Sequence, residues 1–504
     1  MSQPPGFYVT TAIPYVNAAP HLGHALELVQ ADVLARHRRL RGQPVRFLTG
    51  TDENALKNVT AAAAAGTETA AFVAANADRF AELAGALALS FDDFIRTSSD
   101  RRHAPGVERL WRQCAARGDF YRRTYDGLYC QGCEQFYDAA DLPGGLCPEH
   151  GVVPDTVTES NWFFKLSRYT GTVLNALESG RVRVEPAAKR NEVLSFVRAG
   201  LRDISVSRPA SRAAGWGIPV PDDPDQVVYV WWDALANYVT ALGYGTDDRA
   251  YRTWWLDAAE RVHVIGKGIV RFHAVYWLAL LESTGQPLPT AIFVHEYLTV
   301  DGAKLSKSTG NAVDPYDLVE RFGNDALRWW LLREVASLGD TDFTEDRLLT
   351  RYHQDLANGV GNLVNRTLSL VHRYRDGAVP DRDPTAAVGR ELIDMCTGLS
   401  ADVDRALTAF DFRAATDAVQ TIVTAANRFV EAERPWVLAK GEQSGDAAAG
   451  ERLDAVLSIL VEACRCVTHE LTPFVPEGAA RVSAQLGTGS FVAIPEPVFP
   501  RREA

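Results

Sequence analysis

The sequence predicts an α/β protein, a Rossmann-type parallel sheet split by an inserted module and followed by an all-α helix bundle. Strand, helix and strand signals follow one another within the first 52 residues. A Gly-, Pro- and Cys-rich stretch then interrupts the pattern between about 118 and 224, and from about Thr344 onward the apolar spacing is helical almost throughout. At 504 residues the chain exceeds what one core organises. The expected division is 1–117 for the first half of the sheet domain, 118–224 for the insertion, 225–343 for the second half and 344–504 for the bundle.

Each element has a local reason. FYVTTAI (Phe7 to Ile13) is a short apolar run closed by Pro14, and reads as a buried strand. Leu22, Leu26, Val29, Val33 and Leu40 then recur at helical spacing until Gly42 and Pro44 end the pattern. PVRFLTGTD (Pro44 to Asp52) is a second strand running into a polar turn. A parallel βαβ unit binds ligands beyond the carboxyl ends of its strands, which places Asp52 and the segment Pro14 to His24 at that edge. The Ala61–Ala65 run reads as helix. After the insertion VVYVWW and RVHVIGK read as strands, a helix is expected from about Ile269 to Glu282, and AIFVHEYLTV is a further strand. EQSGDAAAGER near residue 446 is expected to be a polar connection.

Composition narrows the class. With 46% hydrophobic, 10% aromatic and 23% charged residues, wholesale disorder, collagen and a disulfide miniprotein are excluded. Lys and Arg number 52 against 64 Asp and Glu, and a net charge of −12 excludes attachment to nucleic acid by bulk charge while leaving room for a local basic groove. Seven unevenly spaced cysteines fit a reducing compartment with some metal-binding thiols. The start MSQPPGFYVTTAI has no basic region followed by a long apolar stretch, and AVYWLALL stops short of a membrane span, so a soluble cytoplasmic protein without membrane attachment is expected.

Three groups of residues can carry chemistry. His21-Leu22-Gly23-His24 lies between the first strand and its helix. Its two imidazoles share one helix face, Gly23 admits a ligand close to the backbone, and the helix N-terminus favours phosphate. Taken alone, the same four residues also fit two solvated histidines at a helix start. Lys304-Leu305-Ser306-Lys307-Ser308 follows the Asp301-Gly302 turn and can clamp phosphates, although alone it reads as a solvated basic loop. Their pairing at the two ends of one α/β region gives both weight. Cys130-x2-Cys133 and, after thirteen residues, Cys147-x2-His150 supply four soft ligands in two chelating knuckles, suited to tetrahedral structural zinc, one per chain. Cys114, Cys396, Cys464 and Cys466 fall outside this spacing and are assigned to packing.

HLGH and KLSKS resemble the HIGH and KMSKS signatures of class I aminoacyl-tRNA synthetases. TTAIPYVNAAPHLGH, FLTGTDEN, YVWWDALANY, VIGKGIVRFH and GAKLSKSTGN are similar to the methionyl-tRNA synthetases in particular, and the resemblance runs on to RPWVLAK near Trp436. It implies ATP-dependent attachment of methionine to tRNA(Met) through methionyl-adenylate. In the family, methionine is held by residues matching Ala12, Ile13, Tyr15, Asp52, Trp231, Ala234, Leu235, Tyr238, Ile269, Phe272 and His273. Asp52 would take the α-ammonium, Trp231, Ile269 and Phe272 the thioether, and Tyr15 and His273 a hydrogen bond to sulfur. ATP would be bound by His21, Gly23, His24, Glu27, Gly266, Lys304, Ser306 and Lys307, with magnesium on the nucleotide. His21, His24, Lys304 and Lys307 would be catalytic. The resemblance implies the same zinc knuckle, and Asn362, Arg366 and Trp436 match the readers of a CAU anticodon. A monomer is the expected state.

The chain departs from the family pattern at Asn54 and Ala55, where His-Gly is common after Glu, at Gly268, where Asp is common, and at Glu296, where Gly is common. Leu305 stands for Met. Two other readings compete: a paralogue that passes its adenylate to another amine or carrier, and a zinc-containing RNA-binding protein without catalysis. Asn362, Arg366 and Trp436 argue against the first, and two idle phosphate loops against the second.

Overall fold

Parallel strands that follow the sequence's βαβ order form the central sheet of the computed structural model, which describes residues 6–130, 135–149, 151–304, 312–381 and 388–502. The chain divides into two units, Met1–Ala31 with Arg41–Ala84 and Ser90–His295, and Asp32–Leu40 with Gly85–Leu89 and Glu296–Ala504.

In the first unit β1 (Phe7–Thr11), β2 (Val45–Thr51) and β3 (Asp93–Arg96) join β12 (Glu260–Gly266), β13 (Ala291–His295) and β7 (Arg183–Glu185) in the order β3-β2-β1-β12-β13-β7. Among the described residues every strand pairing in this sheet is parallel. Helix α1 (Leu22–Leu40) follows β1, and α2 (Leu56–Ala64) contains most of the alanine run. Helices α3 (Thr69–Ala86), α4 (His103–Ala116), α5 (Thr170–Glu178), α6 (Ala187–Arg198) and α7 (Val230–Thr240) complete the main layers. Tyr8, Leu48, Ile95, Val184, Ile265 and Ile292 from the strands are buried in one core with Trp111, Trp232 and Trp277. Gly50 is needed where β2 passes β3, because a Cβ there would lie 2.1 Å from the Ile95 carbonyl oxygen.

Several expectations are corrected here. β7, α5 and α6 lie within residues 118–224, and β7 is an edge strand of the parallel sheet. The same stretch also forms an antiparallel sheet, β5-β4-β6-β8, from β4 (Phe120–Cys130), β5 (Gln135–Tyr137), β6 (Asp155–Phe164) and β8 (Ile204–Ser205). VVYVWW is not a strand of the parallel sheet. β11 (Asp223–Val228) pairs antiparallel with β9 (Ser207–Pro209) and β10 (Pro219–Val220), and Val230-Trp231-Trp232 already belongs to α7. The apolar run is continuous because both its strand end and its helix start are buried, a case that periodicity cannot separate.

After a helical turn α8 (Arg249–Tyr251) and a π segment (Arg252–Leu256), β12 leads through a 3₁₀ turn (Lys267–Ile269) into a second π segment (Phe272–Trp277) and α9 (Leu278–Thr284).

In the second unit AIFVHEYLTV continues, after β13, as β14 (Leu298–Val300), which pairs with β15 (Ala303–Lys304) and β16 (Thr341–Asp342) rather than with the parallel sheet. Asp301 and Gly302 both have positive φ, the requirement of a tight two-residue hairpin. Helices α10 (Pro315–Phe322) and α11 (Asn324–Arg333) precede the predicted bundle. The bundle begins with Thr344, whose hydroxyl caps α12 (Glu345–Arg351) by accepting from Arg347 N at 3.2 Å. A π segment (Tyr352–Gly361), α13 (Asn362–Arg375), α14 (Arg390–Thr408), α15 (Phe412–Glu433), α16 (Pro435–Gln443), α17 (Ala447–Leu471) and α18 (Pro476–Leu486) follow. The polar connection near residue 446 is therefore short, and its alanines open α17. Arg328 is fully buried in this unit. It pairs with Asp32 at 2.8 Å and donates to the carbonyls of Leu87, Pro473 and Phe474 at 2.8–2.9 Å. Among the described residues no helix is long and apolar enough to cross a membrane.

Candidate active site

The site is built on the carboxyl edge of the parallel sheet in the first unit. At the start of α1, His21 Nδ1 accepts from Gly23 N at 3.1 Å and His24 Nδ1 accepts from His21 N at 3.0 Å. This is a reciprocal cap made of two imidazoles, which satisfies one of the helix's orphan N–H groups. Because both Nδ1 atoms accept, each neutral ring carries its proton on Nε2. The rings stack with centroids 3.9 Å apart, and the His24 and Phe80 rings meet edge to face with centroids 5.0 Å apart. A Cβ on Gly23 would lie 2.9 Å from His21 Cε1, so the ring position depends on glycine. Glu27, one turn on, pairs with His295 Nε2 at the end of β13, 3.0 Å away.

Asp52 is buried just beyond β2, 2% exposed. Its backbone N–H bonds to Pro14 O at 2.9 Å and it forms a parallel bridge with Tyr15, so the two strand ends are tied together where the sequence places them. Its Oδ1 accepts from Asn54 N at 3.3 Å. Ala12, Ile13, Trp231, Ile269 and Phe272 all pack, partly buried, on the same core cluster as Leu235 and Tyr238.

The wall opposite is aromatic. Trp231 stands 6.0 Å from Phe272 and 5.3 Å from Tyr276, centroid to centroid. Tyr238 OH donates to His273 Nε2 at 2.7 Å, and His273 Nδ1–H donates to Ile269 O at 3.0 Å. Burial drives the His273 pKa down to about 4, so the ring is neutral at pH 7. Both of its nitrogens are occupied, so His273 orients Tyr238 in this arrangement, and its expected hydrogen bond to sulfur is not available without breaking one of these contacts. Behind it His263, never singled out by the sequence, takes 3.1 Å from Trp277 Nε1 and shares 2.7 Å with Thr10 Oγ1. Burial also holds His263 well below the usual histidine range.

The class I (M) tRNA synthetase family model matches residues 7–155 and 140–368. The methionine–tRNA ligase of Mycobacterium bovis is 41% identical over 516 residues, covering 98% of each chain. That of Caldanaerobacter subterraneus subsp. tengcongensis is 39% identical over 482 residues, covering 95% of this chain and 74% of its own. The Mycobacterium tuberculosis methionyl-tRNA synthetase in complex with methionyl-adenylate superposes with a TM-score of 0.93 at 40% identity, over 99% of this chain and 100% of that one. This chain belongs to the methionyl-tRNA synthetase family.

Other synthetase motifs are distributed as follows. Gly266 ends β12, and Lys304 lies in β15 opposite Thr299; Leu305, Ser306, Lys307 and Ser308 lie outside the described residues. Asn362 is exposed at the start of α13. Arg366, one turn on, places its guanidinium 5.3 Å from the centre of the Trp436 ring and pairs with Glu431 at 2.6 Å. Trp436 is 40% exposed at the start of α16, as a stacking platform requires.

Of the four expected zinc ligands, Cys133 and His150 lie outside the described residues, and among those described no group of three or more ligands forms a metal site. The two described members suit the ion. Cys130 at the end of β4 and Cys147 are each 1% exposed, and the chain turns tightly at Cys147, whose N and O bond to Val152 O and Gly151 N at 2.8 Å. Sequence reasoning missed Tyr276 as well as His263. Tyr276 sits on the π segment, where the residue spacing differs from that of an α-helix and helical periodicity misassigns the facing residue.

Proposed function

We infer that this chain activates methionine with ATP and transfers it to tRNA(Met) bearing a CAU anticodon. The observation that carries the reading is the match, over 98% of both chains, to a methionine–tRNA ligase. Asp52 takes the α-ammonium, while Trp231, Phe272, Tyr276 and Ile269 enclose the thioether, a polarizable group that packs well on aromatic edges. Ala12, Ile13, Ala234 and Leu235 fill the remaining apolar surface, and Tyr238, held by His273, presents a fixed hydroxyl.

Neither step needs a protein nucleophile. The methionine carboxylate oxygen attacks the α-phosphorus, the new P–O bond forms as the bond to the bridging oxygen breaks, and pyrophosphate leaves. The terminal ribose 2′-OH then attacks the acyl carbon, its proton is lost, and AMP departs. The protein positions the reactants and stabilises charge on the phosphates. The Nε2–H groups of His21 and His24 donate to ATP, Gly23 admits its approach, and Lys307, Lys304 and Ser306 neutralise the departing pyrophosphate. Glu27 and Gly266 border the nucleotide, which carries magnesium on its phosphates as part of the substrate. Asn362, Arg366 and Trp436 read the anticodon by hydrogen bonding and stacking. Cys130, Cys133, Cys147 and His150 hold one zinc ion, which supplies a structural cross-link and takes no part in the reaction. The enzyme acts in the cytoplasm as a monomer.

Pyrophosphate exchange into ATP tests the adenylation site. Exchange that requires methionine, and that leucine and cysteine do not support, is expected. Exchange that ignores methionine would overturn the pocket.

A further inference from the structure

Asn54, one of the positions where the sequence leaves the family pattern, lies between the two halves of the methionine pocket. Its backbone N–H bonds to the Asp52 carboxylate at 3.3 Å, and its side-chain Nδ2 donates to Asp233 Oδ2 at 3.2 Å and to Thr97 O at 3.4 Å. Asp233 is on α7, between Trp231 and the residues Ala234, Leu235 and Tyr238, and is fully buried. A carboxylate placed there is costly unless its oxygens are engaged. Oδ2 is bonded by Asn54, while Oδ1 has no hydrogen-bond partner among the described residues and only faces His103 Nε2 at 3.6 Å, within ion-pair reach. His103, also fully buried at the start of α4, shares its other nitrogen with Thr240 Oγ1 at 2.8 Å. Asp233 and Thr240 are seven residues apart, so one histidine lies along the same face of α7, hydrogen-bonded at Thr240 and at ion-pair distance from Asp233.

Packing alone would favour an apolar residue at position 233, as at Trp232 and Leu235. The polar set is instead continuous from the ammonium-binding carboxylate to the helix that carries the aromatic wall. We propose that Asn54, Asp233 and His103 form a buried strut that fixes the separation between Asp52 and α7, making them positioning residues for the amino acid. The span from ammonium group to thioether measures side-chain length, so this strut sets how well the pocket grips methionine. The nucleotide half of the site does not depend on it. The inference rests on the reading of the methionine pocket given above.

The test compares wild type with Asn54→Ala, Asp233→Asn, Asp233→Ala and the double variant Asn54→Ala/Asp233→Ala. Methionine-dependent exchange gives KM for methionine and ATP separately, and hydrogen–deuterium exchange follows residues 52–58 and 230–240. Asn54→Ala should raise KM for methionine about tenfold or more, the scale of losing a hydrogen bond to a charged group, with KM for ATP within about twofold. Asp233→Asn, which keeps an acceptor for Asn54, should lie between wild type and Asp233→Ala. The double variant should be no worse than the poorer single one. Both segments should exchange faster in Asn54→Ala. Equal changes in both KM values, or additive single effects, would overturn the strut, as would unchanged exchange of the two segments. If wild type itself lacks methionine-dependent exchange, the pocket reading fails, and the deuterium data still decide whether the strut exists.

Discussion

Replacing Asp52 by Asn removes one negative charge and almost nothing else. Asn has the same shape and can still accept from Asn54 N, now 3.3 Å from Asp52 Oδ1, and the backbone bond to Pro14 O does not involve the side chain. Asp52 is 2% exposed, so solvent does little to screen its interaction with an ammonium group. A hydrogen bond to a charged partner contributes about 1.5–3 kcal/mol, and at about 1.4 kcal/mol per decade this corresponds to roughly 10- to 150-fold. Asp52→Asn should therefore lower kcat/KM for methionine by that factor in pyrophosphate exchange, with KM for ATP little changed. A thermal melt should show the fold intact. A loss below about threefold would refute the assignment of the ammonium to Asp52. A parallel loss for ATP would show that the substitution had disturbed the whole site.

Trp277→Phe strips the donor from His263 Nε2 and leaves a buried acceptor, so urea unfolding should show a loss of about 1–3 kcal/mol; an unchanged midpoint would contradict the bond. His273 is held at about pH 4 against an ordinary 6.5. Between those values the unfolded ring takes a proton that the native ring refuses. Its contribution is complete above pH 6.5 and falls as the pH drops toward 4, by about 3 kcal/mol in all. The acid slope in urea unfolding should shrink in His273→Gln, and an identical slope would contradict it. Trp436→Ala should raise KM for tRNA by a factor matching about 1–3 kcal/mol of lost stacking, with pyrophosphate exchange unaltered; reduced exchange would place the residue elsewhere. Elemental analysis of purified protein should give one zinc per chain, lost in Cys147→Ser, and protein free of zinc would end the knuckle assignment.

Much of this was legible in the sequence because the signals were local. Pro14 closes the first strand and Gly42 with Pro44 the first helix, Thr344 marks the start of the bundle, and the Asp301-Gly302 pair forms the turn it suggests. The residues proposed for the pocket were suggested only by resemblance, since YVWW and FHAVYW read individually as core. What stayed hidden depends on long-range pairing. Asn54 and Asp233 are 179 residues apart, and Thr10 and His263 are 253 apart. Nothing in the spacing of either pair announces a contact. β7 was missed because a three-residue strand inside a Gly- and Pro-rich stretch gives no usable period. VVYVWW misled for the opposite reason: an unbroken apolar run spans the end of β11 and the start of α7.

The most direct measurement is charging of a purified CAU-anticodon tRNA with labelled methionine, with leucine and cysteine as controls. The account predicts efficient methionylation and no transfer of either control amino acid. Methionine-dependent pyrophosphate exchange without charging would keep the adenylation site and contradict the acceptor, and silence in both would contradict the account as a whole.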